Sequence, residues 1–326
     1  MKSEVVQTKD KVFIDKIPRL MWGENTDNSF IRSAQLALNA LGENYSYEFL
    51  MGISGTAFRL HFHPDWCPSS ADSTTGFDVS RVLFKSLGYK SELHSIDDNS
   101  FDDIKSLYKR IITQINLGIP IVAINLKVCP EWGIITGYLK NKPGIICRTY
   151  FDKTDEYSLA ERAPWLSFFI GEKGIPMDND ELFENSLKIA IQLAKTDEFE
   201  EYKSGYSAFK KWIEELKKQT ESIKTKMFKE YEVNLTIFNY LLDARKAAVG
   251  YLTSMNNKMK RGDLIIDNYK KEVELLKETQ KNILPSFKAD AKSWTADIIN
   301  KQIDILKWVF SMEKETIDLF EEELKN

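Results

Sequence analysis

The spacing of apolar residues along the chain changes near residue 180. Before that point, short apolar or alternating runs alternate with single helix-length segments, and proline and glycine interrupt the chain. After it, long lysine- and glutamate-rich segments repeat apolar residues at spacings of three and four. The pattern predicts an α+β domain over residues 1–178, followed by an all-α domain over residues 179–326.

The first predicted domain alternates helices with strands. Asp27, Asn28 and Ser29 are candidate caps for a helix that ends at Gly42. The run IPIVAINL is apolar throughout, which is typical of a strand in the centre of a sheet. Further helices are predicted at 46–52, 77–87 and 100–117, and strands at 56–62, 89–94, 119–126, 132–138, 145–151 and 166–171.

The second predicted domain contains long amphipathic helices. One of them collects large apolar side chains on a single face, those of Phe209, Trp212, Ile213 and Leu216. Lysines and glutamates cover the opposite face, so we expect this stripe to form a core rather than a ligand site. Further helices are predicted at 235–256, 263–283 and 291–325, and the pattern indicates an antiparallel helical bundle. The C-terminal helices are the candidate surface for a homo-oligomer, while the sequence leaves the oligomeric state open.

Composition and charge narrow the classes of partner. The chain is 43% hydrophobic and 29% charged, and its net charge of −4 is spread over mixed lysines and glutamates. This balance produces no long-range field for nucleic acid or an anionic membrane, and no run approaches the ~18 apolar residues of a membrane helix. The polar N-terminus is not a secretory signal, and three cysteines are too few for a disulfide framework. We therefore expect a cytoplasmic protein.

Metal and cofactor sites have little support in the sequence. The chain has no paired cysteine spacing, and its histidines are limited to His61, His63 and His94. His61 and His63 share one face of a predicted strand near Asp65, but incidental surface histidines are the preferred interpretation. No segment has the pattern of a phosphate-binding loop. We predict neither a metal nor a cofactor.

Two segments resemble parts of a known family. The first has NSFIRSAQLALNALG followed by YSYEFLMGISGTAFRL, and the second has Cys129, Pro130 and Glu131 before WGIITGY, a turn and RTYFD. Together they resemble the butirosin biosynthesis protein H N-terminal family, which is related to bacteriocin-processing papain-like cysteine peptidases. The resemblance covers about residues 18–172, and the helical remainder is similar to C-terminal extensions in parts of that group.

The resemblance implies a cleft between a helical half and a sheet half, with a nucleophilic cysteine at the start of the first helix. A helix N-terminus stabilises a thiolate, which is why a cysteine belongs there. Here Ser29 occupies the cysteine position, Glu131 the histidine position and Gly23 the position of an oxyanion-hole glutamine. Asp152 alone matches, as the orienting carboxylate. A serine would need a strong base, and Glu131 is a weak one unless burial raises its pKa.

Each of these residues has a plain alternative. Ser29 is equally a helix cap, Glu131 a surface carboxylate or a cleft residue that orients a ligand, and Asp152 a turn cap. Cys67 lies in a loop between Trp66 and Pro68, where its thiol is either packed or reactive.

Two main function hypotheses follow. The first is a papain-like binding module for a peptide, acyl chain or small amide, with ligand contacts from Asn28, Trp66, Trp132 and His63. The second is an acyltransferase or an amide or thioester hydrolase, using Cys67 with His63 or His94, or a Ser29 and Glu131 pair. A third is an assembly protein without a formed cleft. The joint replacement at positions 29 and 131 favours the binding module.

Overall fold

The computed structural model describes residues 2–96, 101–221 and 228–325. Its α-helices are, in chain order, α1 Ser29–Ala40, α2 Tyr47–Ile53, α3 Val79–Ser86, α4 Phe101–Asn116, α5 Asn179–Lys195, α6 Gly205–Glu221, α7 Phe228–Ser254, α8 Gly262–Asn282 and α9 Ala296–Leu324. Its strands are β1 Val5–Gln7, β2 Lys11–Ile14, β3 His61–Phe62, β4 Tyr89–Ser95, β5 Ile121–Ile124, β6 Trp132–Leu139, β7 Ile145–Arg148, β8 Ser158–Leu159, β9 Leu166–Lys173, β10 Glu198–Phe199 and β11 Tyr202–Ser204. The chain is α+β, as predicted.

Two compact units divide the chain, and neither is continuous in sequence. The first comprises Met1–Leu50 and Phe84–Pro176, and the second Met51–Leu83 and Met177–Asn326. The change from the first unit to the second between Pro176 and Met177 lies close to the predicted boundary at residue 178. Residues 51–83, however, belong with the second unit. A single boundary misses this because β3, within that segment, pairs with the distant strand β11.

An antiparallel sheet is the framework of the first unit. Its order is β1-β2-β6-β5-β9-β4, and β7 and β8 extend from β6. Strand β6 is the predicted run WGIITGY, and it pairs with β2, β5 and β7. A Cβ at Gly137 would lie 2.3 Å from the carbonyl oxygen of Val12, so this glycine lets β2 approach. The sequence did not predict β1 and β2, because both are very short.

Helices α1 and α4 share an apolar core with this sheet. Leu36 of α1 and Ile111 of α4 are buried in the same cluster as Ile134 of β6. The predicted helices at 46–52, 77–87 and 100–117 are confirmed to within a few residues, as are the predicted strands at 89–94, 119–126, 132–138, 145–151 and 166–171. Residue 100, the first of the helix predicted at 100–117, lies outside the described residues.

The strand predicted at 56–62 is wrong for most of its length. Thr56–Phe58 forms a 3-10 turn after Gly55, whose φ is +82°, and within the predicted range only His61–Phe62 forms a strand. Every residue from 51 to 62 is buried. The alternation of apolar and polar residues in this run therefore does not arise from a strand with one buried and one exposed face. The polar member of the run, Arg59, is buried too, where it donates to the Thr75 carbonyl at 2.7 Å.

The second unit is mainly helical. Trp212 of α6, Phe238 of α7, Leu276 of α8 and Leu306 of α9 belong to one apolar cluster. Helix α5 was not predicted, although Asp178 caps it by accepting from two backbone N–H groups and an apolar period follows. Among the described residues, no helix is both long enough and apolar enough to span a membrane.

Candidate functional site

The start of α1 is capped by Asn28. The Asn28 side chain accepts from the N–H of Ile31 at 3.0 Å, and its own N–H donates to the Tyr47 hydroxyl at 2.9 Å. Ser29 is the first residue of the helix and is only 4% exposed. The cap alternative for Ser29 is therefore wrong, and the predicted ligand contact Asn28 has a structural role.

The beginnings of α1 and β6 lie side by side. Phe30, which follows Ser29, and Trp132, which follows Glu131, have ring centroids 5.1 Å apart in an edge arrangement. Both rings also contact Phe168 of β9. The structure thus brings Ser29 and Glu131 to the same part of the first unit. Trp132 is only 2% exposed, so it packs in the core instead of offering a face to a ligand.

Asp152 is the centre of a buried polar network. Its Oδ1 accepts from the hydroxyls of Ser158 at 2.7 Å and Thr149 at 3.2 Å. Its Oδ2 accepts from the Thr149 N–H at 3.3 Å and from Arg148 at 3.5 Å, and Lys127 forms an ion pair with Oδ1 at 3.5 Å. The Asp152 side chain is 1% exposed. The Asp152 carboxylate therefore stabilises the turn after β7 by hydrogen bonds and pairs with two cations, Lys127 and Arg148.

Hydrogen bonds fix the backbone around Glu131. Its N–H donates to the Cys129 carbonyl at 2.8 Å, and its carbonyl accepts from the N–H of Asn125 at 3.3 Å. Asn125 and Val128 have φ values of +70° and +27°, which L-residues rarely adopt. Arg162 donates to the Asn125 side chain and to the Val128 carbonyl, and so holds both residues. Backbone strain of this kind is often found at functional sites.

An exposed aromatic ring lies before α1. Trp22 stacks on Tyr150 with centroids 3.9 Å apart, and the Tyr150 hydroxyl donates to the Thr26 carbonyl at 2.9 Å. Trp22 is 43% exposed. Gly23, at the predicted oxyanion-hole position, has a φ of +81° and donates its N–H to Asp27. Sequence reasoning missed Trp22, although an aromatic residue beside the Gly23 position was a usable signal.

The Cys67 thiol and the ring of its predicted base, His63, have different hydrogen-bond partners in the second unit. The Cys67 thiol lies 2.7 Å from the Ser69 hydroxyl, which in turn lies 2.7 Å from the Tyr202 hydroxyl. His63 Nδ1 accepts from the N–H of Asp65 at 3.1 Å, and Nε2 lies 3.5 Å from the Glu201 carboxylate. The Cys67–His63 pair is therefore not formed, because both ring nitrogens face other groups.

The remaining predicted residues pack against or contact other side chains of their own unit. Trp66 is 4% exposed and packs edge-on against Phe62 in the core of the second unit. His61 is buried, and burial followed by the nearby Arg59 guanidinium lowers its pKa well below the usual value, so the ring is neutral. His94 belongs to the first unit and lies 3.2 Å from Arg110. Within the described ranges, no group of three or more His, Cys, Asp or Glu side chains could hold a metal ion.

The second unit contains a buried charge cluster that was not predicted from the sequence. Arg245 of α7 pairs through Nε with Glu313 of α9, and lies 3.7 Å from Glu272 of α8. All three side chains are 5% exposed or less. Burial, followed by the Glu313 charge, raises the pKa of Glu272 well above its usual value. Each residue alone reads as a surface charge of an amphipathic helix.

Comparison with protein-family models and with curated protein sequences gives no match to this chain. The family resemblance of residues 18–172 therefore stays a prediction.

Proposed function

We propose that the first unit has a papain-like fold and that its substituted site binds a peptide, acyl or small amide ligand without covalent catalysis. In this proposal the helices of the second unit form a bundle that supports assembly. The observation that carries the proposal is the Asp152 network, because a carboxylate committed to Arg148, Lys127 and two hydroxyls is not free to orient a catalytic base.

The other positions support the same proposal. The contact between Phe30 and Trp132 brings the start of α1 beside the start of β6, which supports a papain-like arrangement. Their chemistry is unsuited to catalysis, since a serine hydroxyl has a far higher pKa than a thiol and a carboxylate is a weak base near neutral pH. The scaffold is retained while the chemical groups are replaced.

Features near the start of α1 indicate what kind of ligand fits. The exposed Trp22 ring, held flat by Tyr150, offers an apolar surface. An acyl chain or an apolar peptide side chain would pack on this ring.

Binding of hexanoyl-glycine, measured by calorimetry and by amide NMR shifts, tests the proposal. We expect saturable binding that weakens about tenfold in Trp22→Ala, because a stacking surface is lost. The matched control is Trp165→Ala, since Trp165 is a comparably exposed tryptophan of the same unit, at 50%. Equal loss in both variants, or no binding by the wild type, would refute the proposal.

Turnover measurements test the absence of catalysis. We expect no hydrolysis of hexanoyl thioesters or short peptides above the rate in buffer, and equal rates for wild type and Ser29→Ala. Turnover that disappears in Ser29→Ala would establish Ser29 as a nucleophile and overturn the non-catalytic assignment.

A second candidate function has one specific observation in its favour. The half-buried Cys67 thiol is linked through Ser69 to the Tyr202 hydroxyl, a chain that could pass a proton away from the sulfur. A thiol acyltransferase or hydrolase would require the Cys67 sulfur to react with iodoacetamide faster than a small free thiol does. Labelling of Cys67 at or below the free-thiol rate, read by mass spectrometry, excludes this candidate.

A further inference from the structure

Lys127 is a nearly buried cation whose hydrogen-bonding capacity is not used by the protein. Its side chain is 12% exposed, and its one ion pair among the described residues is with Asp152 at 3.5 Å. Hydrogen bonds between an ammonium and a carboxylate are ordinarily about 2.7–2.9 Å long, so this contact is electrostatic rather than a full hydrogen bond. The three N–H donors of Lys127 are therefore available to acceptors from outside the chain, water or a ligand.

The Asp152 oxygen nearest Lys127 already accepts two hydrogen bonds. Oδ1 accepts from the hydroxyls of Ser158 at 2.7 Å and Thr149 at 3.2 Å, while Oδ2 accepts from the Thr149 N–H at 3.3 Å and lies 3.5 Å from Arg148. Lys127 approaches an oxygen whose acceptor positions are filled by two hydroxyl groups. This geometry explains why the ammonium lies at 3.5 Å.

Two cations share the Asp152 carboxylate. Arg148 is 5% exposed and donates to the carbonyls of Ile17, Asp155 and Glu156, so Asp152 is its one ion-pair partner. Lys127 and Arg148 thus share one ion-pair partner, Asp152. An anionic oxygen from a ligand would give Lys127 an acceptor of its own, in a charge-assisted hydrogen bond.

The loop around Lys127 is held in place by contacts and by strained backbone. Arg162 holds the carbonyl of Val128, the next residue, and the N–H of Glu161 donates to the carbonyl of Leu126, the preceding residue, at 2.8 Å. Val128 has a φ of +27°, which is unfavourable for a β-branched residue. The loop ends at Glu131, beside the start of α1. Lys127 is therefore positioned by its surroundings within the substituted site.

We infer that Lys127 recognises a carboxylate of the ligand, so that the site takes acyl or peptide ligands that carry a free carboxylate. This inference rests on the proposed function and adds the charge of the ligand to it. Lys127 binds the carboxylate directly, whereas Asp152 positions Lys127 through the ion pair.

A matched pair of probes tests the inference. Hexanoyl-glycine carries a carboxylate, and hexanoyl-glycinamide is its neutral counterpart with the same acyl chain. We expect wild type to bind hexanoyl-glycine about tenfold to a hundredfold more tightly, as a charge-assisted hydrogen bond provides. Lys127→Met should lose that preference while still binding the amide, and Lys127→Arg should retain most of it.

The control variant is Lys90→Met, because Lys90 pairs with Glu172 at 3.4 Å in the same unit but is 81% exposed. Far-UV circular dichroism checks that each variant is folded. Equal binding of the two probes by wild type, or an unchanged preference in Lys127→Met, would show that Lys127 forms a structural ion pair only, and would leave the proposed function standing. Failure of both probes to bind wild type would overturn the proposed function, and the inference with it.

Discussion

Replacing Glu272 with glutamine should make the second unit more stable at neutral pH. Glu272 is fully buried on α8, and neither of its carboxylate oxygens accepts a hydrogen bond. Arg245 has Glu313 as its closer partner and donates its remaining hydrogen bonds to the carbonyls of Ala57 and Arg59. One guanidinium cannot neutralise two buried carboxylates, so Glu272 stays protonated in the folded chain.

The magnitude follows from proton linkage. The pKa of Glu272 is raised well above its ordinary value of 4.5, so the folded chain holds a proton that the unfolded chain releases. The contribution of the protonated Glu272 to the free energy of unfolding is therefore fully present below pH 4.5. It is lost as the pH rises toward the pKa of Glu272 in the folded chain, at about 1.4 kcal/mol for each pH unit. Glutamine keeps the shape and cannot ionise, so Glu272→Gln should avoid this loss.

Replacing Glu313, the other carboxylate of the cluster, should destabilise the chain far less alone than together with the replacement of Glu272. In Glu313→Gln, Glu272 lies 3.7 Å from Arg245 and can ionise in place of Glu313, which limits the loss. In the double variant, Arg245 is buried without any carboxylate, and we expect a loss of about 3–5 kcal/mol. The double-mutant cycle should therefore be strongly non-additive.

Urea unfolding followed by circular dichroism at pH 5, 6, 7 and 8 provides the measurement. The advantage of Glu272→Gln over wild type should grow with pH. The control is Glu274→Gln on the same helix, where the side chain is exposed and the change should stay within about 0.5 kcal/mol. A Glu272→Gln variant that is less stable at pH 7, or a difference independent of pH, would show that Glu272 is ionised in the fold.

Three further predictions concern the second unit. Gly52→Ala should lower the melting temperature by several degrees, because its Cβ would lie 2.1 Å from the Tyr251 ring; an unchanged melting temperature would contradict this packing. His61 is held neutral with a lowered pKa, so urea unfolding should show stability falling below pH 6.5, by up to about 1.4 kcal/mol per pH unit, and His61→Gln should lack that dependence. Asn234→Leu should cost about 1–3 kcal/mol in urea unfolding, because the buried Trp212 indole N–H loses its acceptor at 3.0 Å, and Trp212→Phe should lose less in that background than in wild type.

Elements with a strong local pattern were predictable from the sequence. Strand β6 was recognised because its apolar run is bounded by proline on one side and a Lys-Asn-Lys-Pro-Gly turn on the other. Helix α8 was recognised from its regular period. The 3-10 turn at Thr56–Phe58 was mistaken for a strand, since a segment buried on all sides carries no amphipathic signal.

The candidate site was predictable only in part. The positions of Ser29, Glu131 and Asp152 followed from the resemblance, and the structure shows the neighbours of the first two, Phe30 and Trp132, in ring contact. The partners of Asp152 were not predictable, because Lys127 is 25 residues away in sequence and reaches it only when the loop before β6 is folded.

The sequence by itself determined the α+β class and the helical character of the C-terminal half. These properties depend on residue types and on periods of a few residues, which a linear pattern records directly. Tertiary structure alone decided that residues 51–83 join the second unit, that Glu272 is a buried carboxyl group and that Lys127 pairs with Asp152. Burial and ion pairing depend on distances between residues far apart along the chain, and those distances change the charge states that determine function.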